Sequence, residues 1–127
     1  MNKENVSIYI PAYNAEKTIE KSIQSIKQQT YKFNEIIIID DNSTDTTNQI
    51  LNEIDDIKVI KNNTNKGLGY NRNLGFKISS NDIVASIDAD VVLDESWLEI
   101  MIKNFEKNKN IVCGGKMIEK LIQNKFN

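Results

Sequence analysis

Glu35-Ile36-Ile37-Ile38-Ile39-Asp40-Asp41 sets four isoleucines in a row between one acid and an acidic pair. Successive side chains of a strand point to opposite faces, so an unbroken apolar run predicts a strand buried on both sides. That is the pattern of a parallel sheet covered by helices. Upstream, Val6-Ser7-Ile8-Tyr9-Ile10 reads as a first strand, stopped by Pro11. A helix is expected to begin near Asn14 as N-cap, with Glu16 in its first turn and Ile19, Ile23 and Ile26 forming one apolar stripe. Downstream, the polar cluster Asp40 to Thr47 leads into a second helix carrying Ile50, Leu51 and Ile54.

The rest of the chain keeps the same alternation. Ile57 to Ile60 reads as a third strand, and the Asn-rich segment 62–65 leads to a helix around Tyr70 to Lys77. A fourth strand is expected over Ile83 to Ile87. Asp94 then caps a helix whose buried face is Trp97, Leu98, Met101, Ile102 and Phe105. Ile111-Val112-Cys113 reads as a fifth strand broken at Gly114-Gly115, and a short helix is expected over the tail, using Met117, Ile118, Leu121 and Ile122. Strands alternating with helices imply right-handed crossovers, hence an α/β fold with a mainly parallel sheet and helices on both faces. In such sheets ligands bind beyond the carboxyl ends of the strands, at the switch point. The polar motifs Pro11-Ala12-Tyr13-Asn14, Asp40-Asp41-Asn42-Ser43 and Asp88-Ala89-Asp90 each follow a strand end.

Composition narrows the chemistry. The 127 residues suit one domain spanning 1–127, with ordinary apolar (39%) and charged (27%) fractions. A net charge of -2 without a basic run argues against a nucleic-acid partner. With no histidine, imidazole metal ligands and Ser-His-Asp or Cys-His nucleophile systems are excluded. The single cysteine, Cys113, excludes an intrachain disulfide and reads as a small buried hydrophobe. The N-terminus lacks a signal-peptide pattern, and Ile36 to Ile39 is far too short to span a bilayer. The expectation is a cytoplasmic protein, with peripheral attachment to the inner membrane face left open.

Asp88 and Asp90 follow the apolar run Ile83-Val84-Ala85-Ser86-Ile87. In an extended segment, positions i and i+2 share a side, so the two carboxylates could converge on one point. A hard divalent cation, Mn2+ or Mg2+, is the natural occupant between them, with phosphate oxygens completing its shell. The bland reading is a strand-end turn followed by the next helix cap. Asp40-Asp41 likewise reads either as turn and cap chemistry or as a carboxylate accepting hydrogen bonds from a nucleobase or ribose. The segment from Gly67 to Gly75 is not a dinucleotide fingerprint, because its last glycine comes late and it follows the third strand. It still offers a helix N-terminus to an anion, with Lys66 and Arg72 as positive charge near a diphosphate, or else a solvated helix surface.

Together, four segments resemble the family 2 glycosyltransferases of GT-A fold. They are Val6 to Asn14, Ile36 to Asp45, Asn65-Lys66-Gly67 through Arg72-Asn73-Leu74-Gly75, and Ile87-Asp88-Ala89-Asp90. The likeness runs from Val6 to about Lys116 and implies a Rossmann-like nucleotide-binding half, incomplete at its C-terminus. It further implies metal-dependent transfer, with inversion, of a sugar from a nucleotide-diphosphate sugar (a UDP-sugar favoured) to a hydroxyl of a glycan or lipid-linked acceptor. By the same resemblance Pro11, Ala12, Tyr13, Asn14 and Glu16 would line the nucleotide pocket, and Asp41 with Asp40 would hold the base. Lys66, Gly67, Asn71 and Arg72 would lie near the ribose or diphosphate. Asp90 would ligate the metal, Asp88 would contact ribose or metal, and Ala89 sits between them.

The general base that inversion requires lies downstream in that family and is not assigned, and Glu119 matches no motif for it. Two other functions fit parts of the sequence. One is a nucleotide-sugar-binding module without catalysis, or the remnant of a longer enzyme. The other is a haloacid dehalogenase-type phosphatase, since Ile87 to Leu93 looks like its nucleophile motif, although that motif should open the fold rather than follow a fourth strand.

Overall fold

The computed structural model describes residues 4–107. Strands β1 (Val6–Ala12), β2 (Glu35–Asp40), β3 (Lys58–Lys61) and β4 (Ile83–Ser86) alternate with helices α1 (Ile19–Lys27), α2 (Thr47–Asn52), α3 (Leu68–Ile78) and α4 (Trp97–Lys107). The sheet order is β3-β2-β1-β4, and every neighbouring pair is parallel. The chain therefore steps outward from β1 through β2 to β3, then returns past β1 to β4. Crossovers of one hand put the returning helix on the opposite face. Consistent with that, α3 lies over Tyr9, Ile37 and Ile39 through Leu74 and Ile78. The other three helices share the larger core with Val6, Ile8, Ile10 and Ile38.

The isoleucine run thus divides by parity. Ile36 and Ile38 serve the larger core, while Ile37 and Ile39 serve the α3 side. The stripe Ile19, Ile23 and Ile26 on α1 is completely buried, worth roughly 2 kcal/mol for each side chain withdrawn from water. The fold is α/β with an all-parallel sheet and helices on both faces, as the alternation of strands and helices implies.

Four expectations need correction. Pro11 does not stop β1, for it pairs with Ile39 inside the strand. The carbonyls of Val6 and Ala12 accept from Asn34 and Asp41 on the β2 side, so by alternation Pro11 faces β4. There the ladder already ends at Tyr9 and Ser86, and no neighbour misses the N–H that proline lacks. Helix α1 starts at Ile19 rather than near Asn14. Asn14 has a left-handed φ of 48°, which cannot begin a right-handed helix. Strand β4 ends at Ser86, so Asp88 and Asp90 stand in a turn closed by the Val91 amide donating to the Asp88 carbonyl at 3.2 Å; strand pleating does not bring these carboxylates together. Ile54 packs on the core from beyond the end of α2. The expected fifth strand, the tail helix, Cys113 and Glu119 lie outside the described residues.

At the N-terminal edge of the sheet, Glu35 ties four segments together. Its carboxylate accepts from the Ser7 hydroxyl at 2.8 Å, Lys58 Nζ at 2.6 Å, and the Ser80 amide and hydroxyl at 2.8 and 2.9 Å. Burial alone would raise its pKa, but Lys58, Ser80 and Ser7 outweigh that and hold it at about 2.

Candidate functional site

The reversal of direction between β1 and β4 is a topological switch point, where the loops leaving adjacent strands part and open a crevice. The loops after β1, β2 and β3 and the turn after β4 all emerge at that carboxyl edge. Each fastens to a neighbour by side-chain chemistry.

The first two loops are stitched into one rim. Asn14 Oδ1 accepts from the Thr44 amide at 2.8 Å and the Asp45 amide at 3.3 Å, while the Asn14 amide donates to Ser43 Oγ at 2.9 Å. Glu16 Oε2 accepts from the Thr46 hydroxyl at 2.6 Å and its amide at 3.0 Å. These two donors hold the Glu16 carboxyl below its ordinary pKa. Asn14 and Asn42 both sit at positive φ, 48° and 60°, a conformation asparagine tolerates better than most residues. Ala12 and Pro11 are buried in β1, whereas Tyr13 is half exposed at the rim.

The acidic pair looks inward. Asp40 is fully buried, accepting from the Ser43 amide at 3.0 Å and Asn48 Nδ2 at 3.2 Å. Asp41 is nearly so, and its Oδ1 accepts from the Lys66 amide at 2.7 Å and Asn62 Nδ2 at 2.9 Å, its Oδ2 from the Gly67 amide at 3.0 Å. Burial would push the Asp41 pKa up, but the Lys66 amide, Asn62, the Gly67 amide and Asn71 together hold it below its usual range. Asp41 thus already occupies the amides of the N-cap Gly67 and of Lys66 before it, at the entry to α3. Gly67 is needed here, since it carries φ +89°, a conformation that strains any other residue. Asn71 is buried and accepts from Asn62 Nδ2 at 2.7 Å, so it belongs to this internal network.

The positive and metal-ligating candidates remain outward. Arg72 Nη2 lies 3.6 Å from Asp88 Oδ1, both side chains being largely exposed. Lys66 Nζ stands 5.7 Å from the Tyr70 ring centre. Among the described residues no hydrogen bond or ion pair engages the Asp90 carboxylate, and no group of three or more acid, histidine or cysteine side chains could enclose a metal unaided. Two exposed carboxylates with free oxygens fit a hard cation that keeps waters and takes its remaining ligands from a diphosphate.

The structure thus joins Asp41, Lys66, Gly67 and Asn71 in one cluster, Asn14 and Glu16 to the β2 loop, and Arg72 to Asp88. Among the described residues no hydrogen bond or ion pair links the Asp88–Asp90 turn to Asp40 or Asp41. Sequence reasoning missed Asn62, Ser43, Thr44 and Thr46 as partners of the site residues. The Asn-rich stretch after β3 was the available signal for Asn62, because asparagine supplies both a donor and an acceptor to a buried network.

An α/β sheet with its polar loops gathered at a switch point defines the class of open α/β proteins that bind ligands at the carboxyl ends of their strands. The glycosyl transferase family 2 model matches residues 7–125, and the chain belongs to that family. It is 44% identical over 103 residues to the Escherichia coli UDP-Glc:alpha-D-GlcNAc-diphosphoundecaprenol beta-1,3-glucosyltransferase WfaP, covering 80% of this chain and 39% of that protein. An uncharacterized glycosyltransferase of Haemophilus influenzae is 40% identical over 122 residues, which cover 93% of this chain and 38% of the relative. The fold matches S. aureus TarS 1-349 in complex with UDP at a TM-score of 0.75 and 28% identity, covering 83% of this chain and 33% of that one. The chain thus spans about two fifths of the length of these curated relatives.

Proposed function

We propose that this chain forms the donor-binding part of a glycosyltransferase that moves a sugar from a nucleotide-diphosphate sugar, a UDP-sugar first, to a hydroxyl of a glycan or lipid-linked acceptor with inversion. The observation that carries this reading is the pairing of Arg72 on α3 with Asp88, just beyond the carboxyl end of β4. It sets an exposed positive charge beside the acidic turn at the edge of the sheet where the polar loops emerge. The relative WfaP, whose name carries a UDP-Glc donor, and TarS, crystallised with UDP, support the choice of nucleotide.

In this reading Pro11, Ala12, Tyr13 and Asn14 line the nucleotide pocket, with Glu16 holding its rim through Thr46. Asp40 and Asp41 shape the base end. Because Asp41 occupies the Lys66 and Gly67 amides, the diphosphate falls instead to the side chains of Arg72 and Lys66. Asp88 and Asp90 hold Mn2+ or Mg2+, which, when bound, supplies Lewis-acid stabilisation of the charge developing on the departing diphosphate. Arg72 adds a charge-assisted hydrogen bond to the same oxygens. The proton acceptor for the attacking hydroxyl is assigned to none of the described residues. The domain works at or near the cytoplasmic membrane surface if its acceptor is lipid-linked; among the described residues no helix is long and apolar enough to cross a membrane.

Titration of UDP with and without Mn2+ tests this. Binding should strengthen on adding the metal, and Asp90→Ala should abolish that gain while the protein still melts cooperatively. Equal affinity in wild type and variant would remove the metal assignment. Failure of UDP, GDP and TDP alike to bind at millimolar concentration would remove the function. Metal-dependent binding without sugar transfer by the intact protein would favour a binding module.

A further inference from the structure

We propose that Gln29 is a positioning residue for the Asp88–Asp90 turn, acting from the far end of the chain segment that follows it. This rests on the reading above, in which that turn carries the metal. Gln29 is fully buried just past the end of α1. Its Nε2 donates to the Asp94 carbonyl at 2.6 Å and to the Ser25 carbonyl at 3.1 Å, and its Oε1 accepts from the Leu98 amide at 2.9 Å. Ser25 Oγ accepts from the Leu93 amide at 3.0 Å. The Thr30 amide donates to the Glu95 carbonyl at 2.8 Å. The end of α1 and the residues just after it therefore grip 93–98 at four backbone groups.

What lies between this grip and the acidic turn is short. Residues 91–94 have no regular structure, so no helical or sheet ladder sets their path. Upstream, the β4 ladder with β1 ends at Ser86. The turn is thus suspended between a strand end and the Ser25–Gln29 anchor, with Ile87, Val91 and Leu93 the buried side chains in between. Helix α4 already docks through Trp97, Leu98, Met101 and Ile102, and an apolar side chain of similar volume at position 29 would serve that packing. A buried amide satisfied by three backbone groups adds register rather than burial: it sets where Leu93 and Asp94 stand along α1. Asp90 lies only three residues before Leu93. Groups that hydrogen-bond a metal ligand directly are typically worth about 10- to 100-fold in metal affinity, and Gln29, which acts one step further out through the backbone, falls at the low end of that range.

The test is the gain in UDP affinity on adding Mn2+, measured by calorimetry in wild type, Gln29→Met and Ser25→Ala, with thermal melting of each. Methionine keeps the volume and removes all three hydrogen bonds; alanine at 25 removes the Leu93 acceptor and, within α1, the hydroxyl's bond to the Ser22 carbonyl. The Mn2+-dependent gain should fall by about tenfold in Gln29→Met and by less in Ser25→Ala, while UDP affinity without metal stays within about twofold. If Gln29→Met does not fold, Ser25→Ala decides: a reduced gain supports the proposal and an intact gain overturns it. An intact gain in a folded Gln29→Met overturns it directly and leaves the metal reading standing. A wild type with no Mn2+-dependent gain condemns the underlying metal reading, and the proposal with it.

Discussion

The Asp41 carboxylate accepts the Lys66 main-chain amide at 2.7 Å across the gap between the β2 and β3 loops. An acid that the sequence offered as a ligand group is thereby the internal counter-charge for the start of α3. The same carboxylate holds the Gly67 amide and Asn62, so the loop after β3 has its shape dictated by one side chain.

Asp41→Asn tests this role. The amide retains one acceptor oxygen but turns an NH2 group toward donors, leaving at least one buried amide unpaired. Stability should fall by about 1–3 kcal/mol, and UDP affinity should fall as the loop loosens. Because the folded pKa of Asp41 is held below its ordinary 3.8, its contribution is present above that value and is lost as pH falls through the lower folded one. Urea titrations should therefore show a wide gap between wild type and Asp41→Asn at pH 7 that narrows in acid. A gap independent of pH would point to packing rather than to the charge.

Arg72→Ala should separate binding from stability. Its ion pair with Asp88 spans 3.6 Å between side chains 47% and 61% exposed, and exposed pairs contribute about 0–1 kcal/mol. The melting midpoint should barely move, whereas UDP affinity should drop severalfold and lose part of its dependence on salt. A large drop in stability with unchanged UDP binding would make Arg72 a structural residue.

The sheet was legible because Ile36 to Ile39 can be buried on both faces only in a covered parallel sheet, and each face found its helix. The order of polar loops was legible for the same reason, since each follows a strand end. What could not be read was where polar side chains turn. Asn14 was expected to cap a helix and instead binds the neighbouring loop. Asp41 and Asn71, expected near a ligand, are also joined through Asn62 across two loops. Such partners lie 9 and 21 to 31 residues apart, beyond the reach of local spacing rules. Asp88 and Asp90 share no pleated face, because β4 ends two residues before the first of them.

Glu35 predicts the acid limb of stability. Its folded pKa of about 2 lies below the ordinary 4.5, so its stabilisation is complete above about pH 4.5 and drains away as pH falls toward 2. The two values differ by an amount equivalent to about 3 kcal/mol at most. Lys58 is 65% exposed, so salt should screen its share, while the Ser7 and Ser80 bonds persist. Urea unfolding from pH 6 to pH 2 should fall more steeply for wild type than for Glu35→Gln. Parallel curves would assign the acid transition to other carboxylates.

Gly75 meets Tyr9 where α3 crosses β1, and a β-carbon there would fall within the tyrosine ring, against Cδ2 and Cγ. Tyr9 is buried beneath the helix, so the ring has little room to retreat. Gly75→Ala gains helix propensity, worth about 1 kcal/mol. Forcing apart a packed helix and sheet costs typically 1–3 kcal/mol. The clash should win, with net destabilisation by urea titration. Adding Tyr9→Leu, which removes the ring, should recover most of the loss attributable to position 75, giving a coupling energy of about 1 kcal/mol or more in the double-mutant cycle. Simple additivity would mean that the two elements separate without strain, and that Gly75 is there for a reason other than the close crossing.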